Sequence, residues 1–254
     1  MKFIYFLTYV FLLLLYTTNL IADDFIIAGA ANIQYALEAL KKEYSKSSGN
    51  SFKTVFSSSG KLSAQIQNGA PYAIFLSADM DYPQKLYKAG FAIAEPSVYA
   101  KGQIVLWSNR KLISKDIKKI LTSENVKSIA IANPALAPYG KESINILENL
   151  KLYEALKSKI VFAESISQVN QYILSGSVEF GFTAKSIVSA DEVKDKGDWI
   201  DIDTKLYSPI NQGIVILNFG LEHFPVECKT FYNFIFSEKA QRILKAHGYI
   251  IDAL

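Results

Sequence analysis

The sequence predicts an α/β fold with mostly parallel strands, and three observations carry that expectation. Short β-rich runs alternate with amphipathic helical stretches from Asp24 onward. Several of those runs end in small residues that lead directly into a helix start. The chain has 254 residues, 50% hydrophobic and 20% charged, which suits one large α/β domain or two smaller lobes and argues against disorder.

Residues 25–28 read as a strand, after which Ile33, Leu37, Leu40 and Tyr44 share one helical face. Residues 51–56 read as the next strand, and 62–67 as a short helix ended by Asn68-Gly69 and Pro71. A third strand covers 73–77, with a helix at 82–89 that Gly90 stops. Further strands fall at 103–107, 128–132, 160–163, 179–183 and 213–217. Helices fill 114–122, 139–150, 165–174, 225–236 and 238–245. Neither a repeat nor a low-complexity linker interrupts this rhythm.

The first stretch stands apart. Lys2, the apolar block 3–16 and the small residue Ala22 have the layout of a secretory signal peptide over 1–22, cleaved near Ala22. An uncleaved anchor helix is the alternative, since residues 3–22 could just span a bilayer. A single cysteine, Cys228, excludes an internal disulfide and a cysteine metal cluster. Exported yet cysteine-poor, the chain fits a bacterial periplasm. His223 and His247 are too far apart for a His-x-x-x-His zinc site. A net charge of +3 without a basic stripe excludes nucleic acid as partner.

The strand–helix junctions are Ala28-Gly29-Ala30-Ala31-Asn32, Ser57-Ser58-Ser59-Gly60, Asn133-Pro134 through Pro138-Tyr139-Gly140, and Ala163-Glu164-Ser165-Ile166. Open α/β sheets place ligands at strand carboxyl ends, where helix amino ends present unpaired N–H groups suited to an anion. Ser57 to Lys61 is not a Walker A loop, because Val55 stands where its first glycine belongs. Its serines can cap the following helix or close around an oxyanion. Lys61 in the first helical turn opposes the helix dipole by ~0.3–1 kcal/mol, which a nearby anion would relieve. Ser165-x-x-Gln168 is a capping box. Asp79 and Asp81 read as caps of the helix that follows, and Cys228 as a buried, inert thiol. No Gly-x-Ser-x-Gly elbow is present, so an enzyme, such as a secreted hydrolase using Ser59, is the minor alternative.

Read together, these segments resemble the periplasmic molybdate-binding proteins of ABC importers. The matches are Ala28 to Asn32, Ser58-Ser59-Gly60-Lys61-Leu62, Gln65-Ile66 through Gly69-Ala70-Pro71, Ser77-Ala78-Asp79, Asn133-Pro134 through Tyr139-Gly140, and Gly181-Phe182. The resemblance implies a two-lobed periplasmic binding protein fold of type II, with residues 23–100 plus 206–254 in one lobe and 101–205 in the other. It implies a monomer without cofactor that binds molybdate or tungstate in the cleft through neutral donors only, with a membrane permease and an ATPase as partners. Carried over by position, the donors are Asn32 with its side-chain amide, the Ser59 hydroxyl and amide, and the backbone amides of Tyr139 and Ile166. Some members add a tyrosine hydroxyl where this chain has Ala184.

None of the four donor positions carries Asp or Glu. Hydrogen phosphate benefits from a carboxylate that accepts its proton, whereas an all-donor site prefers a fully deprotonated dianion. Molybdate, tungstate and sulfate are such dianions; a sulfate-type receptor is therefore the alternative within binding proteins.

Overall fold

The computed structural model describes residues 24–112, 114–124 and 126–251. The export signal expected at 1–22 lies outside the described residues. Two five-stranded sheets, each flanked by helices, make the two lobes. The first sheet holds β1 (Ile26–Ala30), β2 (Lys53–Ser57), β3 (Ile74–Ser77), β4 (Ser97–Gly102) and β10 (Ile210–Ile216), in the order β2-β1-β3-β10-β4. The second holds β5 (Ile104–Ser108), β6 (Ile129–Ala132), β7 (Ile160–Ala163), β8 (Phe180–Ala184) and β9 (Asp198–Asp201), in the order β7-β6-β8-β5-β9. The α/β class and the two-lobed architecture follow the expectation.

The strand directions correct one part of it. Each sheet is evenly mixed rather than mostly parallel: β2-β1-β3 and β7-β6-β8 are parallel, while β10 and β5 each run antiparallel to both neighbours. The parallel strands are those joined by helical crossovers. The antiparallel ones lie where the chain passes between sheets, and no helix sets their direction. β4 and β9 escaped the sequence reading. Asp198-Trp199-Ile200-Asp201 begins and ends in residues that strands disfavour, and it is held by Leu106 opposite Ile200 and Trp107 opposite Trp199. Lys101 and Gly102 pair with Asn211 and Ile210 in the first sheet, so the first crossing falls at Gln103.

The periodic faces identified in the sequence are buried. Ala36, Leu37, Leu40 and Tyr44 of the helix Gln34–Ser48 pack with Phe231 and Ile235 against the first sheet. Cys228 is fully buried there, and burial pushes its thiol up to about 12. Around the second sheet, Val105, Leu106, Ile129, Ile131, Phe182 and Val169 form a second core. That core also takes in Ala30, Ala31 and Ala78, which lie at the carboxyl ends of β1 and β3 in the first lobe. The two lobes therefore meet through packed side chains.

Glycine allows one close approach that bears on the site. Gly140, in the first turn of the helix Pro138–Asn149, lies so near the end of β6 that a Cβ there would stand 1.9 Å from the Ala132 carbonyl oxygen. Relief needs backbone to move, so Gly140→Ala should lower unfolding free energy by about 1–3 kcal/mol or more. Lys141→Ala, at the exposed neighbour, should stay within about 0.5 kcal/mol of the parent. Urea unfolding compares them, and equal midpoints would contradict the close approach.

Candidate anion-binding cleft

Four strand carboxyl ends supply the site, two from each lobe. β1 runs into the short helical turn Ala31–Ile33, and β2 into the helix Ser59–Gln67. β6 leads to the helix Pro138–Asn149, and β7 to the helix Ile166–Leu174. In each lobe these are adjacent parallel strands, so their carboxyl ends lie side by side. Helix amino ends leave N–H groups without intrahelical acceptors, and their dipoles add positive potential.

The two pairs of junctions meet across the cleft. Gly60 N donates to Leu136 O at 2.9 Å, joining the second junction to the third. Tyr82 Oη donates to Ala135 O at 2.9 Å on the same loop. Lys61 Nζ pairs with Glu164 beside the fourth junction, and the Ile166 helix contacts the Ala31–Ile33 turn. Ser186 Oγ, just beyond β8, donates to Asn32 O at 2.7 Å. Asn32, Ser59, Tyr139 and Ile166 are thus gathered into one region, each 1–3% exposed.

Their individual roles differ in detail. Ser59 is not the cap of its helix; Ser58 holds that position. Ala78 N donates to Ser59 Oγ at 3.0 Å. Accepting that bond occupies a lone pair and leaves the Ser59 hydroxyl proton for another acceptor. Ser58 Oγ is buried and has no partner within the protein, a second hydroxyl beside Ser59 at this junction. Tyr139 and Ile166 open their helices as expected, with Pro138 in the first turn of one and Ser165 capping the other. Ser165 Oγ accepts from Gln168 N at 3.3 Å, but the reciprocal bond shifts by one residue: Gln168 Oε1 accepts from Glu164 N.

Asn32 departs from expectation. Its side-chain amide points into the protein, where Nδ2 donates to Gln212 Oε1 at 2.7 Å and to Tyr249 Oη at 2.9 Å. Both amide hydrogens are thereby committed, and what Asn32 can offer an anion is the backbone of its turn. Ala184 ends β8 fully buried, and the hydroxyl at this strand end belongs to Ser186, which reaches Asn32 O.

The acidic groups nearby are bonded within the protein; Glu142 Oε2 accepts from Ser208 N at 2.8 Å and from Asn145 Nδ2 at 3.0 Å. Asp79 Oδ1 accepts from Ser77 Oγ at 3.0 Å and from Tyr82 N at 3.3 Å, in the first turn of the helix Asp81–Lys88; contrary to expectation, the cap position itself belongs to Met80, and Asp81 is the first helical residue. Burial raises the Asp79 carboxyl above its ordinary range, against the lowering effect of those two bonds. Lys61 finds its anion in Glu164, which relieves the unfavourable dipole position. His247 Nδ1 lies 2.8 Å from Ile243 O, and His223 stacks on Phe219, so neither stands beside Ser59 as a base. Among the described residues, no group of three or more His, Cys, Asp or Glu could hold a metal ion.

Gln212, Tyr249 and Ser186 are the polar residues that sequence reasoning missed. The available signal was the polar pair Asn211-Gln212 before Gly213 in a strand whose other side chains are apolar, Ile210 to Ile216.

The sequence pattern of the bacterial extracellular solute-binding proteins matches residues 25–250. The molybdate-binding protein ModA of Azotobacter vinelandii is 36% identical over 88% of this chain and 88% of its own. That of Rhodobacter capsulatus is 32% identical over 91% and 90%. The solved Azotobacter vinelandii periplasmic molybdate-binding protein superposes with a TM-score of 0.84 at 33% identity, covering 91% of this chain and all of that one. The family match over residues 25–250, the shared architecture and sequence similarity along nearly the whole chain lead to one assignment: the protein belongs to the bacterial extracellular solute-binding family, among the ModA molybdate-binding proteins.

Proposed function

We propose that this protein is a periplasmic receptor that captures molybdate, or tungstate, and delivers it to the permease and ATPase of an ABC importer. The observation that carries the reading is the convergence of four helix amino ends, with the Ser59 hydroxyl proton uncommitted and the carboxylates of Asp79, Glu142 and Glu164 bonded to other groups of the protein. Such a set offers donors only: Ser59 Oγ, the amides of Ser59, Tyr139 and Ile166, and the Asn32 turn. A tetrahedral dianion accepts all of them. Hydrogen phosphate brings a proton for which this set supplies no acceptor. Monomeric state and export through cleavage near Ala22 belong to the same proposal.

Calorimetric titration of the mature chain should show tight molybdate and tungstate binding, weaker sulfate, and no detectable phosphate at neutral pH. Phosphate affinity equal to that of molybdate would overturn the reading.

Ser59 gives a sharper test. A hydrogen bond to a charged group contributes ~1.5–3 kcal/mol, so Ser59→Ala should weaken molybdate roughly tenfold to a hundredfold. Ser59→Asp should abolish binding, because a carboxylate would face a dianion with little water between them. If Ser59→Asp titrates like the parent, the site lies elsewhere.

Burial of all four donor positions requires the lobes to part for an anion to enter or leave. The Lys61–Glu164 pair spans that opening with side chains 41% and 51% exposed, so it contributes at most about 1 kcal/mol to the closed form. Glu164→Gln and Lys61→Met should both release molybdate up to about fivefold faster in stopped-flow chase at low salt. Long-range charge acts on association in opposite senses in these two variants, whereas loss of the bridge acts alike on release. Chloride at about 1 M, with a Debye length near ~3 Å, should remove the difference. Release rates matching the parent at low salt would show that the bridge does not hold the lobes closed.

A further inference from the structure

The donors at the first lobe's junctions are themselves held by one buried side chain that neither caps a helix nor faces the cleft. Gln212 is fully buried on β10, the strand by which the chain re-enters the first sheet after the second lobe. The register of β10 against β4 shifts between Gln212 and Gly213, and such an irregularity redirects a side chain out of simple alternation. Gln212 Nε2 donates to Ala78 O and to Ile210 O, each at 3.2 Å. Two carbonyl acceptors fix which end of the amide is nitrogen, so Oε1 is the acceptor that receives Asn32 Nδ2 at 2.7 Å.

Both contacts lead to proposed anion donors. Ala78, whose carbonyl Gln212 holds, uses its own N–H to orient Ser59 Oγ. Asn32, whose amide Gln212 receives, carries the first-junction turn and is bonded through its carbonyl to Ser186 of the second lobe. Tyr249 Oη completes the cluster, accepting from Asn32 Nδ2 and donating to Asn32 O at 3.2 Å. Space for the amide depends on Gly102 at the first crossing, where a Cβ would stand 2.9 Å from Gln212 Nε2 and 2.0 Å from Tyr139 Oη. The amide thus sits where the hinge side of β10, the Asn32 turn and the Ala78 peptide meet.

We infer that Gln212 is a positioning residue for the bound oxyanion: it sets the Ser59 hydroxyl through the Ala78 peptide and the first-junction turn through Asn32, without touching the ligand. This rests on the functional reading above. A glutamine suits the task because one side chain must donate to a carbonyl and accept from an amide within a space closed to water. Leucine fills similar volume and does neither. Glutamate keeps the acceptor, loses the two N–H donors when ionised, and places a charge near the dianion.

The experiment is calorimetric titration with molybdate of the parent, Ser59→Ala, Gln212→Leu, the double variant and Gln212→Glu, each with its ligand-free melting curve. Partners that orient ligating groups typically change affinity about 10–100-fold, so Gln212→Leu should weaken molybdate at least tenfold in fully folded protein. In the Ser59→Ala background the same change should weaken it much less, because the hydroxyl that Gln212 positions is already gone. A purely structural role would lower the melting temperature without that coupling. For Gln212→Glu, the affinity ratio to the parent at each pH should be largest at pH near 8 and narrow towards pH near 5.5. Protonation there restores an O–H donor and removes the charge, and burial raises the pH at which this happens. Taking the ratio cancels the anion's own protonation.

A parent that fails to bind molybdate would overturn the functional reading itself. A parent that binds, weakened by Ser59→Ala but not by Gln212→Leu, would overturn the role of Gln212 alone. Independent, multiplicative losses from Ser59→Ala and Gln212→Leu would do the same. Should Gln212→Leu not fold, Gln212→Glu decides: a ratio that narrows as pH falls supports the inference, and a flat ratio overturns it.

Discussion

A helix amino end inside a protein is an unfinished structure. Its first N–H groups have no intrahelical acceptor, and burying them without one costs about 1–3 kcal/mol each. This protein brings four such ends together, two from each lobe, at positions almost closed to solvent. The surrounding protein answers part of that demand itself: Gly60 N finds Leu136 O across the cleft. What the protein leaves open, above all the Ser59 hydroxyl proton, is what the proposed oxyanion would accept. The two-lobed architecture follows from that constraint, because a site buried on all sides must be able to open.

Selectivity then becomes a matter of what the cleft withholds. Its charged side chains are engaged with one another or with neighbouring donors: Lys61 with Glu164, and Asp79 with Ser77 and Tyr82. A lysine aimed at the anion would bind any anion tightly. An inward carboxylate would favour a protonated one. Neutral donors fixed by a scaffold discriminate by geometry and protonation state, and that requires the scaffold to be stiff. The Gln212–Asn32–Tyr249 cluster and the close approach at Gly140 supply stiffness on opposite sides of the cleft.

The legible parts of this molecule are the local ones. Ser59, Pro138-Tyr139 and Ser165-Ile166 announce helix starts through residues adjacent in sequence, and the apolar spacing of Leu37, Leu40 and Tyr44 marks a buried face within a few turns. β4 and β9 are illegible for a physical reason, as is the antiparallel direction of β5 and β10. β9 is a strand because β5 pairs with it, and its own residues carry little β preference. The direction of Asn32 was misjudged on similar grounds. Its partners Gln212 and Tyr249 lie 180 and 217 positions away, and only the folded chain shows that both amide hydrogens are taken. Lys61 lies between these cases: the sequence exposed an unfavourable charge, while its partner Glu164 came from the other lobe.

The central claim is that these junctions hold one tetrahedral oxyanion between the lobes. A crystal structure of the molybdate complex, with molybdenum located by its anomalous scattering, tests it most directly. The account predicts a single strong peak between the lobes, with molybdate oxygens within hydrogen-bonding distance of Ser59 Oγ and the backbone amides of Tyr139 and Ile166. A peak bonded to lysine or arginine side chains outside this cleft, with the four junctions unliganded, would contradict it.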